Sequence, residues 1–254
     1  MLVKRLSSSI SWRASRWLAR HTAQHWLPLA TTAPVVSFSF DDAPASACTT
    51  GAALLEAQQA RGTFYICGGL TNQHEQGRPC HSLPQLAALA HAGHEIACHT
   101  YQHLNCARAS QQVIQADWEA NEQFFKAHGL APSSGGFAYP YGAYSWASKR
   151  AAQSQFSYAR STIGGAMHGR ADRYLLSAQA MYDTIPLASL LALLEQTAAQ
   201  RGWLIFYTHE IEPAPGPWGS SPARLVRLLT AAQSLGCHVL PVQAAIDYFD
   251  AGAP

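Results

Sequence analysis

The chain has 254 residues, 48% of them apolar and 13% charged, with a formal net charge of +2. This length and apolar content support one substantial core, and the near-neutral balance gives no basis for nucleic-acid binding. No apolar run is long enough to span a bilayer, and no unbroken apolar segment before Asp41 marks a secretory signal.

Charge is unevenly placed along the chain. Lys4, Arg5, Arg13, Arg16 and Arg20 fall in the first forty residues, where there is no acid, leaving a net −3 for the remainder. Val3, Leu6, Ile10, Ala14 and Trp17 recur at three-to-four spacing among those cations, so residues 1–33 read as a basic amphipathic helical extension. It is expected to dock on the body of the protein. Weak peripheral contact with a membrane through residues 1–26 is the alternative. The six cysteines contain no Cys-x-x-Cys pair, and Cys98 is expected as a buried apolar side chain. Free thiols, with no export signal read, lead to the expectation of a cytoplasmic chain, or one peripheral to the inner face of the membrane.

From Val35 onward strand-like and helix-like segments alternate. Val35–Phe40 is an apolar run ending in Asp41 and Asp42, followed by a helical stretch from Thr49 to Ala60 and a strand from Gly62 to Cys67. Ser82–Ala92 reads as helix, Glu95–Thr100 as strand, and Ser110–His128 as a long helix with Val113, Ile114, Trp118, Phe124 and Phe125 on its apolar side. Strands at Phe137–Pro140 and Ser157–Ser161 follow, then a helix from Leu187 to Gln200, a strand from Trp203 to Thr208, a helix from Pro222 to Leu235 and a strand from His238 to Val242. Such alternation predicts an α/β fold, a single-domain distorted (β/α) barrel of about seven strands, with the extension preceding a catalytic domain over residues 34–254.

The chemistry-bearing residues cluster just past the strands, where barrels of this kind build their active face. Asp41 and Asp42 end one strand and point in opposite directions, so one is free to bind a cation while the other handles a proton. His99 and His103 follow another strand, four residues apart, a spacing that shares a face if the segment is helical. Two histidines and one carboxylate such as Asp42 make a divalent-metal site with room for water or substrate. His94-Glu95 resembles the start of a zinc-protease helix motif, but Cys98 stands where its second histidine is needed.

Four segments together give the chain a family resemblance. Ser39-Phe40-Asp41-Asp42, His99-Thr100-Tyr101-Gln102-His103, Ala138-Tyr139-Pro140-Tyr141-Gly142 and the strand running into His209 occur in order. Over residues 34 to 245 the chain resembles the polysaccharide deacetylase family, also called the NodB-homology family or carbohydrate esterase family 4. The resemblance implies that Asp42, His99 and His103 hold the metal, Asp41 is the general base, His209 the general acid, and the backbone N–H of Tyr141 an oxyanion donor. Zinc is the expected ion, with cobalt or nickel as alternatives. Such an ion lowers the pKa of bound water from 15.7 to about 7, and imidazole suits protonation of an amine leaving group.

Two departures from the family pattern stand out. Where the third motif carries an arginine that anchors the catalytic aspartate, this chain has Ala138. Arg160, in the strand-like Ser157–Thr162 segment, is the expected substitute. No clean match exists for the aspartate that orients the acid histidine, and Asp172 and Asp183 both remain open. The implied function is metal-dependent removal of an N-acyl group, N-acetyl above all, from an amino sugar in a polysaccharide or glycan precursor. An amidohydrolase for a linear or cyclic non-sugar amide, or a glycan-binding protein whose catalysis has decayed, are the alternatives. Trp218, in the Pro- and Gly-rich Glu210–Ser221 segment, either stacks on a pyranose ring or packs down its own loop. Oligomeric state is not legible in the sequence.

Overall fold

The computed structural model describes residues 2–75, 77–130 and 135–252, with side chains in the N-terminal helix described from Trp12 onward. In chain order the first half contains α1 (Leu2–His21), β1 (Trp26–Pro28), β2 (Val35–Asp41), α2 (Ala52–Ala57), β3 (Thr63–Ile66), the hairpin β4 (His74–Glu75) and β5 (Arg78–Pro79), α3 (Leu83–His91), β6 (Glu95–Cys98) and α4 (Gln111–Ala127). The second half contains β7 (Gly136–Ala138), α5 (Trp146–Gln155), β8 (Tyr158–Arg160), β9 (Arg170–Asp172), β10 (Gln179–Ala180), α6 (Leu187–Ala199), β11 (Trp203–Thr208), α7 (Pro222–Ser234), β12 (His238–Val239) and α8 (Val242–Asp250).

The main sheet is parallel throughout and runs in the order β10-β11-β2-β3-β6-β7-β8. It curls into the half-barrel of a distorted (β/α) barrel, with helices packed around the outside. β2 lies at its centre, paired with β11 from Val35↔Trp203 to Phe40↔Thr208 and with β3 from Ser39↔Thr63 to Asp41↔Tyr65. The early part of β2 instead pairs with β12, through Val35↔His238 and Val36↔Val239.

Alternation along β2 separates two buried layers. Val36, Phe38 and Phe40 belong to the core shared with the helices. Ser37, Ser39 and Asp41 point the other way, toward the barrel interior built from Tyr65, Ala97, Ala138, Tyr158, Ile205 and Tyr207. The two serines of β2 that face the interior are satisfied locally: Ser37 accepts from the Trp203 indole at 3.0 Å, and Ser39 donates to the Phe206 carbonyl at 2.9 Å. Glu95, also buried, accepts from Thr63 and Tyr158, both at 2.8 Å.

Helix starts follow ordinary capping chemistry. Ser82 and Gln85 form a capping box on α3, with Pro84 in the first turn, and Ser110 accepts from the Val113 N–H to cap α4. α4 buries Ile114, Trp118, Asn121 and Phe125, one stripe at helical spacing.

Several expectations are corrected by the structure. The last strand ends at Val239, because Pro241 turns the chain into α8, whose buried Val242, Ala245, Ile246 and Phe249 repeat at helical spacing. The first turns of the Thr49–Ala60 segment widen into a π-turn at Ala47–Gly51 before α2 begins. The antiparallel pair β1–β9, the short β10 and α5 were not anticipated. The extension is helical and docked: Trp146 N–H donates to Ser15 at 3.0 Å, Lys149 to the Ala19 carbonyl at 2.7 Å, and Arg20 to the Tyr144 hydroxyl at 2.6 Å. The side chains of Val3, Lys4, Arg5, Leu6 and Ile10 lie outside the described residues.

Candidate active site

A cavity of about 480 Å³ opens at the C-terminal ends of the strands, and Asp41, Asp42, His99, His103, Tyr141 and His209 all line it. Each arrives at the end of a strand of the parallel sheet: the aspartates from β2, His99 and His103 from the loop after β6, Tyr141 after β7 and His209 after β11.

Asp42, His99 and His103 converge so closely that their ligand atoms lie within 4.8 Å of one another. Asp42 Oδ1 is 3.7 Å from His99 Nε2 and 3.5 Å from His103 Nε2. Ligands held tetrahedrally at 2.0–2.2 Å from an ion are separated from each other by about 3.4 Å, so the donor set fits a single divalent cation. The tautomer of His99 fits as well. Its Nδ1–H donates to the Ala138 carbonyl at 2.9 Å, leaving the Nε2 lone pair aimed at Asp42. Burial lowers the pKa of His99 to about 4, which keeps the ring neutral as a ligand must be. Burial also acts to raise the Asp42 carboxyl, but His99, His103 and His209 more than offset it and hold it below the ordinary value.

The histidines do not share a helical face. Thr100 and His103 both take positive φ, 64° and 51°, and the segment is an irregular loop that folds His103 back under the strand end. Thr100 Oγ1 accepts from Leu104 N–H at 2.8 Å, and Asp117 on α4 accepts from the N–H groups of Tyr101 and Gln102, bracing the loop. Asp42, Ala43 and Tyr141 also have positive φ. Five of the nine non-glycine residues with that conformation among the described residues therefore sit in the loops of this site, where strained backbone commonly serves function.

Asp41 is buried and ion-paired with Arg160, which is itself fully buried. Arg160 is the register neighbour of Ala138 on the adjacent strand, so its guanidinium enters the barrel interior beside the position where the arginine of the third motif is missing. The small Ala138 side chain leaves room there. The guanidinium lies between the rings of Tyr65 and Tyr207, with centroids 4.7 and 5.2 Å away. Desolvation acts to lower the pKa of Arg160, but Asp41 and the two tyrosine hydroxyls more than offset it, and the arginine stays charged.

His209 stands on the other side of Asp42, with Nε2 3.8 Å from Oδ2. Its Nδ1–H donates to the Trp218 carbonyl at 3.1 Å, fixing the ring with Nε2 toward the cavity. Neither aspartate left open for this role takes it. Asp172 is paired with Lys149, and Asp183 accepts from Arg224 and Ser221; the ring's Nδ1 is bonded to neither. A backbone carbonyl replaces the carboxylate.

Tyr141 is two-thirds exposed and its ring packs on His103 at 4.3 Å. Gly142 follows with φ +58°, and a Cβ there would collide with Thr162 Oγ1, so the turn that sets the lip of the cavity needs glycine. Trp218 is 53% exposed, lines the cavity and meets Tyr182 edge-on at 5.7 Å. Cys98 is buried as expected, and all six cysteines are unpaired. Glu75 and Arg78 on the β4–β5 hairpin form a further cavity wall that the sequence reading missed. The Glu75-Gln76-Gly77-Arg78 run, a glycine turn between polar residues, was the available signal.

A family model described as Polysaccharide deacetylase matches residues 29–159, just over half of the chain, and the chain belongs to that family. Similar solved structures include the carbohydrate esterase domain of a multidomain xylanase from the hindgut metagenome of Trinervitermes trinervoides, at 17% identity and TM-score 0.60, covering 85% of this chain and 91% of that one. The Bc1960 peptidoglycan N-acetylglucosamine deacetylase aligns at 16% identity and TM-score 0.59, over 85% of this chain and 91% of that chain. The pseudoenzyme BA3943 of Bacillus anthracis aligns at 15% identity and TM-score 0.61, over 85% of this chain and 66% of its own. No curated protein sequence matches the chain. At these identities the likeness establishes the fold, and a fold shared by enzymes and a pseudoenzyme leaves activity to be argued from side chains.

Proposed function

We propose that the protein is a metal-dependent hydrolase that removes an N-acyl group, N-acetyl above all, from an amino sugar in a polysaccharide or glycan precursor. The observation that carries this reading is the convergence of Asp42, His99 and His103, with Asp41 and His209 flanking them at one cavity. A divalent cation in that set, zinc before cobalt or nickel, supplies the Lewis acidity that makes water acidic and polarises a carbonyl.

The chain's own residues account for the remaining steps. Asp41, pinned by Arg160, takes the proton from the attacking water. The backbone N–H of Tyr141 donates to the oxygen that gains negative charge, a contact whose loss typically costs about 3 kcal/mol of barrier. His209, its Nδ1 committed to Trp218, has Nε2 left to pass a proton to the departing nitrogen as the carbon–nitrogen bond breaks. Acetate and a free amino sugar are the products. Arg160 sets a cation beside Asp41 where Ala138 offers none, which favours turnover over a decayed binder.

The test is acetate release from N-acetylglucosamine oligomers by zinc-loaded protein, with and without chelator. Turnover that chelation abolishes and Asp41→Asn removes supports the proposal. Glycan binding without turnover, unaffected by Asp41→Asn, sinks it, and hydrolysis of small amides with none of sugars redirects it to a non-sugar amidohydrolase.

A further inference from the structure

We infer that the outward face of α1 is a docking surface for an anionic lipid bilayer. The helix meets the barrel through its small and polar residues: Ser15 accepts from Trp146 N–H, the Ala19 carbonyl from Lys149, and Gln153 on α5 donates to the Ala23 carbonyl. Turning 100° per residue, an α-helix with Ser15 and Ala19 inward carries Trp17 on its far side and Ala14 well away from the contact. Ala14 and Trp17 are exposed, Trp17 by 57%. The described end of the apolar stripe legible in the sequence, Ala14 and Trp17, thus faces solvent instead of the barrel.

The surroundings of that stripe are unusual for this molecule. Nine large apolar side chains are exposed among the described residues, and five of them, Trp12, Trp17, Leu18, Trp26 and Trp146, belong to the N-terminal arm or to the helix beneath it. Three of those tryptophans carry an arginine over the ring: Arg16 on Trp12 at 5.0 Å, Arg150 on Trp146 at 5.6 Å and Arg170 on Trp26 at 4.0 Å. No acid occurs in the first forty residues to balance the five cations there.

Charge decides between occupants. A two-fold contact with a second copy would set this cationic arm against itself. Tryptophan and arginine interleaved, with no acid in the arm itself, instead match the headgroup zone of a bilayer, where indole rings settle at the interface and each cation near an anionic surface strengthens attachment about fivefold. No described helix is long and apolar enough to cross a membrane, so attachment is to the surface and reversible. The docking register also sets the orientation. Ser15 lies beside Trp146, Ala19 beside Lys149 and Ala23 beside Gln153, so α1 runs parallel to α5. The N-terminal end of α1 therefore lies toward the strand ends that carry the Pro140–Gly142 lip.

The test needs no enzymatic activity. Intact protein is sedimented with phosphatidylcholine vesicles, with and without phosphatidylglycerol, at low and high salt, beside a variant carrying Arg13→Glu and Trp17→Glu. The inference predicts salt-sensitive binding to the anionic vesicles only, about tenfold weaker or worse in the variant, with an unchanged Tm because both side chains are exposed. Equal binding to neutral vesicles, no binding to either, or a variant that binds like the native chain would overturn it. So would a dimer in sedimentation velocity that the variant dissociates.

Discussion

Arg160→Met offers the sharpest test of how this site is held together. Methionine keeps much of the volume between Tyr65 and Tyr207 and removes the charge, so Asp41 is left buried without its cation. Removing one partner of a buried ion pair typically costs about 3–5 kcal/mol. Two features favour the lower end here. Arg160 Nε and Nη1 have no hydrogen-bond partner, so losing them relieves an existing cost, and the contact with Asp41 runs through Nη2 alone. A loss of about 3 kcal/mol is therefore expected in urea unfolding of metal-free protein. Asp41→Asn in the same background removes the stranded charge, so the double variant should recover most of that loss, giving a coupling of about 2–3 kcal/mol in the cycle. Strict additivity, or a single-variant loss under about 1 kcal/mol, would show that Arg160 does not anchor Asp41, and the account of the missing arginine would fail.

Other perturbations probe separate parts of the account. His99, lowered by burial to about 4, stays neutral in the fold while its unfolded counterpart takes up a proton below about 6.5, so metal-free protein should lose stability as pH falls from 6.5 toward 4. The loss from this group is about 3 kcal/mol, read from urea midpoints at the two ends of the window; His81 and His94, also lowered by burial, add to it with the same sign, and a flat profile would contradict the burial argument. His209→Ala should leave zinc stoichiometry intact while cutting turnover about 10²–10⁴-fold, and loss of metal would move His209 among the ligands. Gly142→Ala should destabilise the protein by about 1–3 kcal/mol, seen as a lower Tm, because the turn needs positive φ and Thr162 blocks a Cβ; an unchanged Tm would show that the lip is adaptable.

Much of the fold was legible because apolar runs and their spacers carry strong periodic signals. β11 runs over Trp203–Thr208 as read, and α4 differs from its reading by one residue at each end. What escaped was short or set by tertiary pairing: β1 and β9 are three residues each, and their pairing is antiparallel and remote in sequence. α8 went unread apart from Val242, placed at the end of a strand, although Val242, Ala245, Ile246 and Phe249 spell a helix, because the apolar run through Val239, Leu240 and Val242 masked the change of period. At the site, the residue types were readable but their geometry was not. Four-residue spacing implied a helix for His99 and His103, whereas a loop with left-handed residues brings them together. The alignment of Arg160 with Ala138 depends on strand register, and the Trp218 carbonyl that orients His209 is a backbone group, invisible to any search for carboxylates.

The central claim is that one divalent ion is held by two imidazoles and one carboxylate, and X-ray absorption of zinc-loaded protein tests it most directly. Cys67 makes the result decisive, since its sulfur lies 3.6 Å from Asp42 Oδ1 and is the obvious competing donor. The account predicts one zinc per chain with a nitrogen and oxygen shell at about 2.0–2.2 Å, and loss of one imidazole contribution in His103→Ala. A sulfur shell at about 2.3 Å, or no stoichiometric uptake, would contradict it.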